Sequence, residues 1–347
     1  MTIPGTLLGP VIAGSQDPAM YLGLGLWALG FHYFGFMHNN LCDLKHDKAD
    51  PAKQHFPLVS GAIGERLAWR VWAAGTLLFY AVGIAIIVLG RGELLWSLAF
   101  LHAAILAGVA YNLASKRTRV APFLIALSFA SLPVYAFFAV GGAPQNVAVW
   151  YVFAYGFVLM LHQIAYSGYL KDLAPDPVNW LRNWGARAEE REEEGVYNYT
   201  FTPKVQAWGW FSRLLCPALA AVWMFSLGVP ACQDTAGGTA KCAAPPGPLF
   251  FDPILVGLFL LFTLPLLAVF ARLSKPGEFP RQRKVALMGT SEIFAYFLLV
   301  ASLLPHIITT FTGSGGALVA LGFILGPIVW YVAWNQALWG TWLGPKV

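Results

Sequence analysis

Charged side chains are scarce in this sequence. It contains 22 lysines and arginines and 17 aspartates and glutamates, so only 11% of its 347 residues are charged. A soluble domain usually carries about 25% charged residues, which argues against a soluble enzyme or binding module. Hydrophobic residues make up 58% of the chain, and the mean hydropathy is +0.61. We therefore predict an integral membrane protein.

Cysteines are also few, and none is placed for a zinc site. The four residues Cys42, Cys216, Cys232 and Cys242 include no Cys-x-x-Cys pair, which is the spacing typical of structural zinc. We interpret Cys42 as a packing residue. Cys232 and Cys242 lie in one polar segment. Two interpretations remain open for them, a disulfide between the two residues or two unpaired thiols.

Apolar segments recur along the chain at about 20 residues each, the length with which an α-helix crosses a bilayer. They predict an all-α, polytopic membrane helical bundle rather than a barrel. Residues 2–14 are apolar but too short to span. Nine full spans are predicted at about 19–40, 68–90, 93–114, 120–140, 147–170, 206–229, 251–272, 286–309 and 316–340. We expect residues 1–347 to form a single transmembrane domain.

Two polar segments interrupt the apolar ones in the first two thirds of the chain. Residues 43–66 are expected to form a structured loop, and residues 172–205 a long hydrophilic loop. Within the second segment, the run Ala188–Gly195 holds five glutamates. A charge run of this kind is usually a solvated helix or a flexible segment.

The basic residues predict how the chain is oriented in the membrane. If residues 43–66 face the cytoplasm, then all but Arg91 and Lys241 of the 22 lysines and arginines fall on that side. Such an asymmetry follows the positive-inside rule. No basic region precedes the first apolar stretch, so no cleavable signal peptide is expected. The net charge of +5 does not indicate a nucleic-acid partner.

The segment from His38 to Asp47 carries the first polar motif. Asn39, Asp43 and Asp47 recur at every fourth residue, which places them on one face if the segment is helical. Two carboxylates and a carboxamide at the end of a membrane helix are costly unless they hold cations or line a wet cavity. The motif therefore predicts a site that binds cations or lines a water-filled cavity.

A second carboxylate pair, Asp172 and Asp176, repeats this spacing on the same predicted side of the membrane. Ligands that are all oxygens favour a hard cation such as Mg²⁺, which binds through one or two carboxylates and substrate phosphates. Basic residues flank both pairs or lie at the same depth: Lys45, Lys48, Lys53, Lys116, Arg117, Arg119 and Lys171. These features favour a substrate with a diphosphate head and an apolar tail, an isoprenyl diphosphate.

The first motif also resembles that of a known family. Asn39-x3-Asp43-x3-Asp47 is similar to the first aspartate-rich motif of the UbiA family of intramembrane prenyltransferases. The nine residues 53–61, Lys-Gln-His-Phe-Pro-Leu-Val-Ser-Gly, are similar to the basic-Pro-Leu-x-Ser-Gly loop of that family.

Two later segments extend the resemblance, which covers roughly residues 1–310. Tyr111-Asn112, followed by Lys116-Arg117, resembles the tyrosine and basic cluster after the fourth helix of the family. Lys171-Asp172-x3-Asp176 resembles its second aspartate motif. The order, spacing and predicted membrane side of all four segments match the family.

The resemblance implies a fold of nine helices around a central cavity, with both motifs at a mouth that faces the cytoplasm. It implies that Asp43 and Asp47, with Asn39, bind one Mg²⁺ and that Asp172 and Asp176 bind a second. These four aspartates would be the catalytic residues. The residues implied to bind the diphosphate are Asn39, Lys53, Tyr111, Lys116, Arg117 and Lys171.

Three of the other ionisable residues within predicted spans are further candidates for the site. His32 and His162 are each open to two interpretations, a side chain that lines the cavity or a satisfied core histidine. An acid inside a membrane span is a functional candidate, so Glu292 is one. Its position within two turns of the cytoplasmic end also allows its side chain to reach the interface.

Three functions remain open from the sequence. The first is Mg²⁺-dependent transfer of a prenyl group to a lipophilic or aromatic acceptor, such as a quinone, tetrapyrrole, carotenoid or lipid precursor. The second is a terpene cyclase of the same family that needs no acceptor. The third is a cation-coupled transporter. The positions of the carboxylates argue against it, because they lie at predicted helix ends, whereas the coupling sites of transporters lie near the bilayer midplane.

Overall fold

The computed structural model describes most of residues 2–304 and a few residues after them. The described residues are 2–49, 53–115, 117–171, 173, 179–191, 195–226, 233–234, 240–241, 253–304, 307, 322–323, 325–326 and 329. They divide into two compact units, Met1–Gly156 (unit 1) and Phe157–Val347 (unit 2). Cys232, Cys242 and most of the predicted span 316–340 lie outside the described residues.

Unit 1 is built from helices. They are α1 (Thr2–Ile12), α2 (Pro18–Asp47), α3 (Glu65–Leu89), α4 (Leu94–Ala114), α5 (Ala121–Ala139) and the start of α6 (Val147–Lys171). Asp17 caps α2 by accepting a hydrogen bond from the Ala19 amide at 2.9 Å, and Pro18 begins the helix, the order that favours helix initiation. The prediction of a loop from residue 43 was wrong, because α2 continues through the whole first motif to Asp47.

Aromatic side chains hold the core of unit 1 together. The Trp27 ring stacks on Phe79 at 4.6 Å and tilts against Tyr135 at 4.5 Å. The polar groups of Trp27 and Tyr135 donate hydrogen bonds to backbone carbonyls. Trp27 Nε1 donates to Phe79 O at 3.3 Å, and the Tyr135 hydroxyl donates to Gly83 O at 2.8 Å. Buried tyrosine and tryptophan usually find such partners, and these bonds fix α2 and α5 against α3.

Unit 2 combines helices with short strands. It contains most of α6, whose residues Gln163–Gly168 form a π-helical turn, and a short helix α7 (Trp180–Asn183). There follow β1 (Arg187–Glu190), β2 (Val196–Thr200), α8 (Pro203–Ser226), β3 (Gln233–Asp234), β4 (Ala240–Lys241), α9 (Pro253–Leu273), β5 (Gly277–Pro280) and α10 (Arg281–Ser302).

The glutamate-rich run forms part of a sheet, so the expectation of a helix or a flexible segment was wrong for its described residues. Strands β1, β2 and β5 form an antiparallel sheet in that order, with Arg187 opposite Thr200 and Val196 opposite Pro280. Interleaved tyrosines at 197 and 199 favour the strand. Tyr199 is buried, which raises the pKa of its hydroxyl, and the Lys284 ammonium lies 3.8 Å from its ring centroid.

Six described helices are long and apolar enough to cross a membrane, namely α3, α4, α5, α6, α9 and α10. Helices α2 and α8, with 30 and 24 residues, also exceed the length that a span needs. Large apolar side chains such as Leu77 on α3 (72% exposed) face outward, as expected of a surface in contact with lipid. The predicted all-α membrane fold is confirmed.

Candidate active site

The first polar motif lies on the last turns of α2. Asn39 Nδ2 donates to Asp43 Oδ2 at 3.3 Å, which follows from their four-residue spacing on one helix face. One turn later, Asp47 is 8% exposed as a whole residue. The helix therefore aligns an amide and two carboxylates at the predicted membrane boundary.

The loop after α2 brings a lysine back onto this face. Lys53 Nζ lies 2.6 Å from Asp47 Oδ1, with side-chain exposures of 40% and 12%. The loop is folded by its own backbone bonds, from the Phe56 amide to Lys53 O at 3.0 Å and from the Ser60 amide to Phe56 O at 2.8 Å. At this exposure an ion pair stabilises the fold by only about 0.2–1 kcal/mol. The main effect of Lys53 is therefore to balance the negative charge of Asp47.

The donor set of this face fits Mg²⁺. Asp43 and Asp47 offer carboxylate oxygens and Asn39 an amide oxygen, the ligand types that Mg²⁺ prefers. Among the described residues no three His, Cys, Asp or Glu side chains are grouped closely enough to hold a metal by themselves.

Histidine 38 joins three helices directly beside this face, a role that we did not predict. Asn112 Nδ2 on α4 donates to Gly35 O at 3.1 Å and contacts His38 Nδ1 at 3.0 Å. Because the amide nitrogen is a donor, His38 Nδ1 accepts and the ring proton is assigned to Nε2. The ring also stacks on Trp72 of α3 at 4.3 Å and 12°. The only signal in the sequence was a histidine next to Asn39.

Three other predicted diphosphate ligands lie at or just after helix ends. Tyr111 is half-buried on the last turn of α4, and Arg117 is exposed in the turn that follows. Lys171 is exposed at the end of α6 in unit 2. Lys116, Asp172 and Asp176 lie outside the described residues, so their roles stay predictions.

Glu292 does not reach the interface, contrary to one of its two interpretations. It is 4% exposed on α10, where its Oε1 accepts from Arg213 Nη2 at 2.5 Å and from Ser167 Oγ at 3.2 Å. Arg213, which we counted among the basic residues of the cytoplasmic side, is itself 0% exposed. A signal was present in the sequence, since Arg213 is the one charged residue of the predicted span 206–229.

The two candidate histidines differ in their surroundings. His162 is 0% exposed, and its Nδ1 lies 2.8 Å from Ser212 Oγ. The Ser212 hydroxyl donates to Trp208 O at 2.8 Å, so His162 Nδ1 is assigned as the donor of the first bond. His32 is exposed, and its Nδ1 contacts Thr2 Oγ1 of α1 at 3.2 Å. His32 lies seven residues before Asn39, two turns earlier on the same face of α2.

Comparisons with known proteins agree with the motifs. A model of the UbiA prenyltransferase family matches residues 2–180, more than half of the 347-residue chain. Among solved structures, the chain is similar to the apo structure of a UbiA homologue from Aeropyrum pernix K1, with a TM-score of 0.57 and 14% sequence identity. The match covers 88% of this chain and 97% of that chain. No curated protein sequence matches significantly.

Proposed function

The chain belongs to the UbiA prenyltransferase family, and on that premise we propose that it transfers a prenyl group from an isoprenyl diphosphate to a lipophilic or aromatic acceptor within the membrane, with Mg²⁺ as cofactor. The observation that carries this proposal is the face of Asn39, Asp43 and Asp47 on α2, with Lys53 folded back onto Asp47 at 2.6 Å. It combines metal ligands and a diphosphate ligand in one place.

In this proposal Asp43 and Asp47, assisted by Asn39, hold Mg²⁺, and Asp172 and Asp176 hold a second ion. When bound, Mg²⁺ supplies positive charge that stabilises the diphosphate leaving group. Lys53 turns from Asp47 to the diphosphate oxygens and adds a charge-assisted hydrogen bond there. The further residues that we assign to the diphosphate are Tyr111, Lys116, Arg117 and Lys171.

The apolar surroundings of the helices serve the same chemistry. The bond between the prenyl carbon and the diphosphate oxygen breaks to leave an allylic cation, which water would capture. Exclusion of water therefore favours capture by the acceptor. We propose that residues 1–347 act as one domain and that the mouth of the site faces the cytoplasm, which rests on the asymmetry of the basic residues.

The proposal is tested with the full chain in lipid nanodiscs and radiolabelled farnesyl or geranylgeranyl diphosphate. We expect Mg²⁺-dependent release of diphosphate, and a loss of at least about 100-fold for Asp43→Asn or Asp47→Asn. Asp17→Asn is the matched control, because Asp17 caps the opposite end of the same helix and asparagine caps equally well.

Three results would separate the alternatives. Wild-type rates in both motif variants would reject the metal site. Release of diphosphate with a cyclic hydrocarbon as the sole product, whatever acceptor is added, would identify a cyclase. Flux of ions or solutes across a vesicle membrane without diphosphate release would identify a transporter.

A further inference from the structure

A buried ion pair joins two helices of unit 2. Arg213 Nη2 on α8 meets Glu292 Oε1 on α10, and the two side chains are 0% and 6% exposed. Both helices have the length of membrane spans. Ionisable side chains in such helices are costly to bury and are functional candidates for that reason.

The pair satisfies only part of its hydrogen-bonding capacity. Glu292 Oε1 accepts from Arg213 and from Ser167 Oγ on α6. Glu292 Oε2, Arg213 Nε and Arg213 Nη1 are buried and have no hydrogen-bond partner among the residues that the structure describes. A buried ion pair stabilises a fold only when its other donors and acceptors are also satisfied. An ion pair with a purely structural role would not leave one acceptor oxygen and two donor nitrogens without hydrogen bonds.

Neighbouring side chains on α6 and α10 add hydroxyl groups of the same kind. Tyr166, Ser291 and Tyr296 are buried, and their oxygens also lack a hydrogen-bond partner within the described ranges. Tyr296 lies four residues after Glu292, on the same face of α10. Several buried polar atoms without hydrogen bonds therefore lie on the parts of α6, α8 and α10 that carry Ser167, Arg213 and Glu292.

The backbone of α6 is irregular at this place. Ser167, which contacts Glu292, lies in the π-helical turn Gln163–Gly168. Single π-helical turns inside α-helices are rare and occur frequently at functional sites. This turn is an observation independent of the unsatisfied polar atoms, and it too indicates a functional site at the pair of Arg213 and Glu292.

We propose that Arg213 and Glu292 bind the polar head of the acceptor, and that this head is uncharged and carries both a carbonyl oxygen and a hydroxyl group. This proposal rests on the proposed prenyl transfer. The carbonyl accepts from the free guanidinium nitrogens, and the hydroxyl donates to Glu292 Oε2. The head is uncharged because the ion pair is already neutral, so a carboxylate or phosphate would leave a net buried negative charge.

The decisive variant is the double substitution Arg213→Met with Glu292→Leu. Replacing both members by apolar side chains of similar volume usually leaves stability unchanged or raised, whereas removing one member leaves an uncompensated charge. Arg191→Met with Glu278→Leu is the matched control, because that pair lies 2.8 Å apart with side-chain exposures of 52% and 59%.

The assay uses radiolabelled geranylgeranyl diphosphate and a membrane lipid extract that is separated by anion exchange into neutral and anionic fractions. Mg²⁺-dependent binding of farnesyl thiolodiphosphate, which does not ionise, is measured in parallel. For the double variant we expect analogue binding within about twofold of wild type and continued release of diphosphate as prenyl alcohol forms. Transfer of label to the neutral fraction should fall by at least about tenfold.

Four results would overturn the proposal. They are unchanged transfer in the double variant, loss of analogue binding together with transfer, labelling of the anionic fraction alone, and an equal loss in the control variant. If wild type releases no diphosphate, the proposed function fails and this inference fails with it.

Glu292→Gln guards against a misfolded double variant. Its amide oxygen still accepts from Arg213 and Ser167, but the other position becomes a donor. We expect a lower unfolding temperature, because the buried Arg213 loses its counter-charge, together with the same loss of transfer. Retained binding of farnesyl thiolodiphosphate shows that this variant is folded. Normal transfer by this variant would also overturn the proposal.

Discussion

Lys53 gives the first motif a counter-charge of its own. The ammonium lies 2.6 Å from Asp47 Oδ1. Two carboxylates one turn apart repel each other, and Lys53 reduces that repulsion while no substrate is bound. In the proposed function, a diphosphate that attracts Lys53 away would release Asp47 to bind the metal.

Replacing Lys53 tests this exchange. We expect Lys53→Met to raise the KM for the isoprenyl diphosphate by about tenfold, while Lys53→Arg retains most of the wild-type affinity. The free energy of unfolding should change by less than about 1 kcal/mol, because the side chain is partly exposed. Steady-state diphosphate release and thermal unfolding in detergent measure both quantities. Equal KM values for Met and Arg would contradict the assignment.

His38 offers a second test at the scale of single atoms. In His38→Asn the amide oxygen stands near the position of Nδ1 and still accepts from Asn112, whereas His38→Leu provides no acceptor. We expect the leucine variant to lose about 1–2 kcal/mol of unfolding free energy and to need several-fold more Mg²⁺ for half-maximal activity. The asparagine variant should lie closer to wild type in both.

A Mg²⁺ titration of diphosphate release and a denaturant series distinguish the two variants. If both His38 variants behaved alike, the bond to Asn112 would have no part in placing the motif.

The sequence predicted which residues share a helix face better than it predicted contacts between helices. The spacing of Asn39, Asp43 and Asp47 identified one helix face, because that relation is local. The bond between His38 and Asn112 links residues 74 positions apart, and the bond between Arg213 and Glu292 links residues 79 apart. No periodicity within one helix contains information about such pairs.

At the scale of helices, glycine allows α1 to lie against α5. A Cβ atom on Gly9 would stand 2.3 Å from Pro133 O and 2.6 Å from the Phe137 amide nitrogen. Both are backbone atoms of α5, so neither can turn away as a side chain would. The close approach therefore depends on the missing side chain.

Two alanine substitutions on α1 compare this contact with an open position. Gly9→Ala should lower the free energy of unfolding by about 1–3 kcal/mol. Gly5→Ala, with no atom within 4 Å of its added Cβ, should be neutral or stabilising by up to about 1 kcal/mol, because alanine favours a helix. Thermal unfolding of the two purified variants measures the difference, and equal losses would contradict close packing at Gly9.

Hydropathy predicted the membrane helices well and their polar ends poorly. The predicted spans 68–90, 93–114 and 120–140 agree with α3, α4 and α5 to within a few residues. The end of α2 was placed too early, since charge marks where a helix leaves the apolar layer and not where its hydrogen bonds stop. Strand β1 was missed because its residues Arg187–Glu190 are stabilised by pairing with β2, which in turn pairs with the distant β5. Such pairing overrides local propensity.

For the whole molecule, the distribution of basic residues predicts a single orientation. In a cysteine-free background, a cysteine at Gln54, after α2, should react with a membrane-impermeant maleimide only after cells are opened. A cysteine at Gln145, between α5 and α6, should react in intact cells. Both positions are exposed. The reverse pattern would show that the motif faces away from the cytoplasm and contradict the positive-inside assignment.

The π-helical turn in α6 has a consequence for how relatives of this chain are compared. A π-helical turn holds one residue more than the α-helical turn it replaces, and each residue of an α-helix rotates the chain by about 100°. Deleting one residue between Gln163 and Gly168 would leave the hydropathy of the segment almost unchanged. It would nevertheless turn Lys171 by about 100° relative to the start of α6. An alignment gap of one position there is thus a change of helix face, which a count of identical residues does not register.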